Sequence, residues 1–296
     1  MEGGEEISPP SVVPGGGLIA TGSKERHLPL HWQLTRYRVT CENRSVEPTR
    51  RSEERPPLFY YLLKYVILGP LLRLVFRPRI EGLEHIPEEG PAIVAGNHLS
   101  FADHFLMPAV LKRRITFLAK AEYFTGPGIR GRLTATFFRS AGQIPVDRSG
   151  KEAGQAAIRE GLGVLSKDEL LGIYPEGTRS HDGRLYKGKV GVAVMALTAQ
   201  VPVIPCAMIG TFEAQPPGKV IPNIHPVTIR FGKPLDFSRY EGMENEKAIL
   251  RAVTDEIMYA ILMLSEQEYV DQYAAVAKAE QAAAAKERKF PRLPLS

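Results

Sequence analysis

His98 and Asp103 stand five positions apart in the run Gly96-Asn97-His98-Leu99-Ser100-Phe101-Ala102-Asp103. An imidazole steadied by a carboxylate is a simple device for taking a proton from an alcohol: one ring nitrogen accepts the proton, while the carboxylate holds the other N–H and stabilises the imidazolium that forms. No serine nucleophile is required. Five helical steps would set the two side chains about 140° apart, so they cannot meet inside one helix and must straddle a helix start. The flanking residues fit, because Pro91 to Ala95 reads as a short buried strand and Ser100-x-x-Asp103 as a capping-box-like helix opening. His98 is then expected in the intervening turn, beside exposed backbone amides. Taken alone, the same spacing also describes a helix-capping acid next to an ordinary turn histidine.

Two later stretches could hold an anion. Arg148-Ser149-Gly150-Lys151 follows an apolar run and precedes a helical pattern, where helix-start amides favour a phosphate and a guanidinium can grip it bidentately. Arg148 is the main expected contact and Lys151 a second. In Tyr174-Pro175-Glu176-Gly177-Thr178-Arg179-Ser180, the proline and glycine impose a tight turn that displays Glu176, Thr178 and Arg179. Arg179 is expected on the phosphate. Glu176 would repel that phosphate unless it orients an arginine or accepts a hydrogen bond from a substrate hydroxyl; a turn-stabilising carboxylate is the alternative.

These stretches, with Val146-Asp147 ahead of Arg148 and Val201-Pro202-Val203-Ile204-Pro205 after them, come in an order that resembles the four sequence blocks of the glycerolipid acyltransferases, specifically the 1-acylglycerol-3-phosphate (lysophosphatidic acid) acyltransferase family. The likeness covers roughly residues 78–240. It implies a fatty acyl transfer from acyl-CoA or acyl carrier protein to the sn-2 hydroxyl of 1-acyl-sn-glycerol 3-phosphate, giving phosphatidic acid. His98 and Asp103 would be catalytic, with Glu176, Gly177, Thr178 and Arg179, beside Arg148 and Lys151, on the glycerol phosphate. The thioester is a co-substrate, and neither a cofactor nor a metal is implied. Glycerol 3-phosphate or another lysolipid are alternative acceptors. The family also suggests acyl-donor contact along Val201 to Ile209, an N-terminal membrane-contacting helical element, and a place at the cytoplasmic face of the cell membrane, peripheral or shallowly inserted.

The chemistry suits these residues. A histidine near its reference pKa of about 6.5 is well placed as a base, and a thiol leaving group with a pKa near 8.5 needs little acid assistance. The tetrahedral oxyanion needs donors, for which the amides after His98 are candidates. A rival is a metal-dependent phosphoester hydrolase using His98, Asp103, His104 and His181 or His225, but no H-x-H pair or carboxylate cluster accompanies them. A lipid-binding module with a decayed site is a third reading, against which both members of the proton relay are present.

Composition sets outer bounds. The chain has 296 residues, 44% apolar, which suffices for one large α/β domain with appendages. A net charge of +5 and a pI near 9.1 favour anionic partners, and the absence of an aromatic-interleaved basic motif argues against nucleic acid. Lys112-Arg113-Arg114 and Arg130, Arg132 and Arg139 could meet coenzyme A phosphates, an acidic carrier protein or anionic headgroups. Two cysteines, Cys41 and Cys206, exclude a disulfide framework, and Cys206 in its apolar run reads as core rather than acyl carrier.

The expected organisation is a disordered tail over 1–57, a membrane-associating helical element over 58–77, the acyltransferase domain over 78–265 and a helical, charged extension over 266–296. Leu58 to Phe76 has nearly the length of a bilayer span, yet Lys64 and Arg73 are costly there and Pro70 bends a helix, so two short helices dipping into one leaflet are expected. Strands are expected at 92–95, 115–119, 143–146, 170–174, 203–209 and 227–231, and helices at 101–111, 151–166 and 188–199: a single mixed sheet flanked by helices. Pro202 and Pro205 suggest that their strand lies at an edge or begins late. Leu250, Val253, Ile257, Ile261 and Leu264 mark an amphipathic helix packed on the domain, and Ala274 to Lys289 reads as a solvated helix.

Overall fold

Runs such as Ala92-Ile93-Val94-Ala95 and Val203-Ile204-Pro205-Cys206-Ala207-Met208 lack the alternation of a half-buried strand, so they need cover on both faces. The computed structural model, which describes Val66 and residues 69–121, 124–140, 143–146, 153–219 and 221–289, supplies it. Its strands are β1 (Arg79–Glu81), β2 (Ala92–Gly96), β3 (Ile115–Lys120), β4 (Gln143–Val146), β5 (Leu170–Ile173), β6 (Leu185–Tyr186), β7 (Val203–Ile209), β8 (Thr228–Phe231) and β9 (Tyr269–Val270). Seven of them form one sheet in the order β1-β8-β7-β2-β5-β3-β4, and β6 pairs with β9 in a separate ribbon. The β7–β8 pair is antiparallel and the other pairs are parallel. The helices are α1 (Gly69–Phe76), α2 (Asp103–Val110), α3 (Gly128–Ser140), α4 (Ala153–Leu165), α5 (Gly191–Ala199), α6 (Thr211–Ala214), α7 (Lys247–Ser265) and α8 (Ala274–Lys289).

Successive residues of β2 divide between two cores. Ile93 and Ala95 join Leu171 and Val203 under α4, α5 and α7, with Val164, Met195, Val253 and Ile257 filling that layer. Ala92 and Val94 join Leu170, Ile204, Cys206 and Met208 under α1 and α2, with Leu72, Phe76, Leu106 and Met107. Period-two side-chain alternation thus turns one continuous apolar string into two hydrophobic layers. Because β7, β2, β5, β3 and β4 run parallel, their carboxyl ends share one edge of the sheet. The segments that begin at residues 97, 174 and 210, and the chain leaving Val146, all depart from that edge, where open α/β sheets place their ligands.

The sheet corrects one expectation. β7 is interior, flanked by β2 and β8, although Pro205 lies within it. The reason is a slip in pairing. Val203 faces Leu235 and Cys206 faces Phe231, so three steps along β7 match four along its partner, and Pro205 falls where the ladder is irregular and offers its carbonyl to Gly232 N at 2.8 Å.

α1 carries Pro70 directly after Gly69 and buries Leu72 and Phe76. Of the expected 58–77 element, residues 58–65, 67 and 68 lie outside the described residues. Among the described residues no helix is long and apolar enough to cross a membrane. α3 was not legible in the sequence, since its GIRGRLTATFFRS has two glycines and no apolar stripe. α7 buries Leu250, Val253, Ile257 and Ile261 as its periodicity requires. Past the expected boundary at 265, β9 pairs with β6, and Ala274 and Ala277 of α8 pack on Tyr186.

Candidate active site

β2 ends at Gly96, and the next side chain continues its pairing by other means. Asn97, fully buried, accepts from Met208 N at 2.7 Å and donates to Met208 O at 3.0 Å, as a neighbouring strand would. The chain then turns into α2. Asp103, the first residue of α2 and fully buried, points Oδ2 back into this turn, accepting from Leu99 N and Ser100 N at 2.8 Å each. Ser100 Oγ accepts in return from Ala102 N at 3.1 Å. This is the reciprocal logic of a capping box, completed one turn ahead of the regular helix.

The same Asp103 Oδ2 lies 3.0 Å from His98 Nδ1. The expected pair is therefore assembled, with His98 before the helix and Asp103 at its start. The carboxylate fixes the imidazole as the tautomer with hydrogen on Nδ1, so that Nε2 is the basic nitrogen. His98 is 7% exposed. Its ring is stacked on Tyr174 with centroids 4.1 Å apart and planes 10° from parallel, and His104 meets its edge at 4.8 Å. Tyr174 rests in turn on Phe117. The imidazole therefore has one orientation, set by a hydrogen bond and a stack.

The amides beside His98 are not exposed donors, contrary to the sequence reading. Those of Leu99, Ser100 and Ala102 serve the turn, and His98 N donates to Glu176 Oε1 at 2.9 Å. They hold the base in place rather than offering an oxyanion site.

Glu176 is 1% exposed, and its second oxygen accepts from Tyr186 N at 2.9 Å. It thus fastens the turn after β5 both to the His98 turn and to β6. Burial pushes its carboxyl up to about 8, against the two amide bonds that favour the ionised form; Asp103 and Asp182 add to the rise. The expectation that Glu176 meets an arginine or a substrate hydroxyl gives way to the bracing alternative, because both oxygens are occupied and covered. A second fastening runs beside it, from Ser180 N to His98 O at 2.7 Å.

Arg179, next to Ser180, is exposed and has no hydrogen-bond or ion-pair partner among the described residues. Gly177 has φ +75°, and a Cβ there would sit 3.0 Å from Lys189 Nζ, so the exposed Lys189 lies across the turn that carries Arg179. Lys189 was missed in the sequence because a lysine near a helix start is ordinarily solvated. Arg148 and Lys151 lie outside the described residues; β4, which leads to them, ends at the same sheet edge. Thr178 is half-buried on its turn.

Other expectations meet the structure as follows. Arg113 bonds the carbonyls of Pro87, Gly90 and Asp168 at 2.8 Å each and ties loops together. Val203 to Met208 of β7 are buried in the two cores, so within 201–209 only Pro202 and Ile209 keep partly exposed surface. Cys206 is buried, and burial raises its thiol far above the usual range, Asp103 adding to the effect. Among the described residues no three His, Cys, Asp or Glu side chains are grouped as metal ligands. Gln267 was missed too: it accepts from Asn97 at 2.6 Å and donates to Gly183 O, joining the end of α7 to the site, and no sequence signal marks so distant a contact. A cavity of about 350 Å³ lined by Phe124, Gly126, Gly131, Arg132, Ala135 and Thr136 opens along α3, and Phe138 and Phe101 link Phe124 to His104 by ring contacts.

Comparison with known proteins adds independent findings. Residues 77–209 match the model of the acyltransferase family. The chain is 30% identical over 173 residues to the chloroplastic 1-acyl-sn-glycerol-3-phosphate acyltransferase LPAT1 of Arabidopsis thaliana, covering 58% of this chain and 47% of that one. It is 33% identical over 150 residues to the 1-acyl-sn-glycerol-3-phosphate acyltransferase alpha of Homo sapiens, covering 50% of each. It spans about half the length of the curated relatives it matches. The crystal structure of the LPA acyltransferase PlsC from Thermotoga maritima aligns with a TM-score of 0.49 at 23% identity, over 68% of this chain and 85% of that one.

Proposed function

We propose, from the match of residues 77–209 to the acyltransferase family model and the likeness to 1-acyl-sn-glycerol-3-phosphate acyltransferases, that the chain moves a fatty acyl group from an acyl-CoA or acyl carrier protein thioester to the sn-2 hydroxyl of 1-acyl-sn-glycerol 3-phosphate. The product is phosphatidic acid and a free thiol. The observation that carries the reading is the 3.0 Å contact between His98 Nδ1 and Asp103 Oδ2, on the sheet edge that also bears the exposed Arg179.

In this reaction His98 Nε2 takes the hydroxyl proton as the oxygen attacks the thioester carbonyl. Asp103 stabilises the imidazolium, and the departing thiolate recovers the proton from Nε2. Arg179, with Arg148 and Lys151 from the end of β4, clamps the acceptor phosphate, and Gly177 and Thr178 shape the turn beside it. Stacking on Tyr174 and the Glu176 brace keep the imidazole from turning away, a form of preorganisation that a 1 Å displacement would undo at a cost on the order of 10²-fold.

The acceptor is itself a lipid, and residues 58–77 are proposed to hold the enzyme on the cytoplasmic face of its membrane; a variant lacking them should float less with vesicles. The reaction is tested by offering the purified full chain 1-acyl-glycerol 3-phosphate, glycerol 3-phosphate and lysophosphatidylcholine with acyl-CoA and acyl carrier protein donors. Phosphatidic acid formed from the first acceptor is the expected product. Transfer to none of these, or a metal-dependent release of phosphate instead, would overturn the reading.

A further inference from the structure

Residues 216–219 and 221–226 leave the catalytic edge of the sheet as a loop containing Pro216, Pro217, Pro222 and Pro226, and they expose two large apolar side chains to water: Ile221 is 77% exposed and Ile224 80%. The loop is pinned in that posture. Asn223, between the isoleucines, is itself exposed but tethers the loop, donating from its backbone to Ala214 O at 2.7 Å and from its side chain to Glu213 O at 3.0 Å, while Lys219 N donates to Pro216 O. Four prolines and these bonds leave the isoleucines no route to bury themselves on their own domain.

Both ends of the loop are tied to functional or apolar ground. Gln215, just before it, accepts from Ser100 Oγ at 3.2 Å, on the turn that carries His98. Val227, just after it, donates to Phe76 O at the end of α1 and accepts from Arg79 N. α1 also exposes leucines, Leu71 at 52% and Leu74 at 70%. Exposed Arg73 and Arg77 stand beside these leucines, and exposed Lys219 stands in the loop. Apolar tips among cations, on the edge where His98 stands, match a surface whose interior is hydrocarbon and whose rim is anionic.

We propose that the loop residues 216–219 and 221–226 form a second membrane-contacting element, with Ile221 and Ile224 entering the acyl region of an anionic phospholipid bilayer alongside Leu71 and Leu74 of α1, so that the His98 turn is held at the headgroup level. The bilayer meets the enzyme at two points on one edge. A single N-terminal anchor would leave the domain free to swing, whereas two contacts fix which edge faces the lipid.

The test is vesicle partition of the full chain and of I221E/I224E, using phosphatidylcholine vesicles with and without added phosphatidic acid. The double variant should bind at least about tenfold more weakly, since two large apolar side chains no longer leave water, and its thermal unfolding should be unchanged because neither residue packs on the domain. Replacing both isoleucines with tryptophan should restore or strengthen binding. Turnover adds a separate reading: transfer to a short-chain, fully dissolved acceptor should be unchanged in I221E/I224E, while transfer to an acceptor carried in vesicles falls. A loss of partition without any transfer activity in the parent chain would still support the surface while sinking the reaction proposed above. Unchanged partition, or a loss of self-association in sedimentation with vesicle binding intact, would overturn the proposal; the latter would assign the patch to a second copy of the chain.

Discussion

Replacing Glu176 with glutamine separates bracing from substrate contact. The carboxylate accepts one amide on each oxygen, His98 N and Tyr186 N, both at 2.9 Å and both buried. Glutamine keeps one acceptor and turns an NH₂ group on the other amide, so whichever way it sits, one buried N–H faces a donor. An orphaned buried donor costs about 1–3 kcal/mol. Taking about 2 kcal/mol, a domain of this size should unfold roughly 4–8 °C lower. If the His98 amide is the one released, kcat should fall on the order of 10- to 100-fold with KM for the acceptor nearly unchanged. Thermal unfolding and steady-state kinetics on the same preparation read both. An unchanged unfolding temperature with a raised acceptor KM would refute the reasoning and return Glu176 to the substrate.

Further outcomes follow from the same geometry. Glu176 has its folded-state pKa raised from 4.5 to about 8, so the stability its proton contributes is fully present below about pH 4.5 and lost as pH rises towards 8; unfolding temperature should decline over that window, and less so in E176Q. Among the described residues the buried hydroxyl of Tyr174 has no partner, and burial followed by Asp103 pushes its phenol well above the usual range. Tyr174→Phe should therefore retain activity and gain up to about 1 kcal/mol in urea unfolding, whereas Tyr174→Ala should lose turnover with the stack on His98. Arg179→Lys should raise KM for phosphate-bearing acceptors several-fold, with a smaller change in kcat, since an ammonium cannot reproduce a bidentate grip.

Much of the fold could be read from the chain because its helices and strands have clean periods. Ile93 and Val94 are both apolar because each faces a different core, and the 3,4,4,3 spacing from Leu250 to Leu264 sets the inner face of α7. What escaped was decided by distant partners. Pro205 is tolerated in an interior strand because of a pairing slip against residues 231–235, which local propensity cannot report. α3 has no stripe to announce it. In the site, the meeting of His98 and Asp103 follows from spacing around a helix start, and the bracing by Glu176, the stack on Tyr174 and the contact of Gln267 with Asn97 do not, because they join turns 76 to 170 residues apart in the chain. The motif residues were therefore visible before their division of labour was.

The central claim is that His98, steadied by Asp103, removes the acceptor proton. Its most direct test is His98→Ala in the full chain, with lysophosphatidic acid binding measured by calorimetry and acyl transfer measured on the same preparation. The account predicts acceptor affinity within a few-fold of the parent and a kcat lower by at least about 10²-fold. Acyl transfer at the parental rate in a folded His98→Ala protein would contradict it.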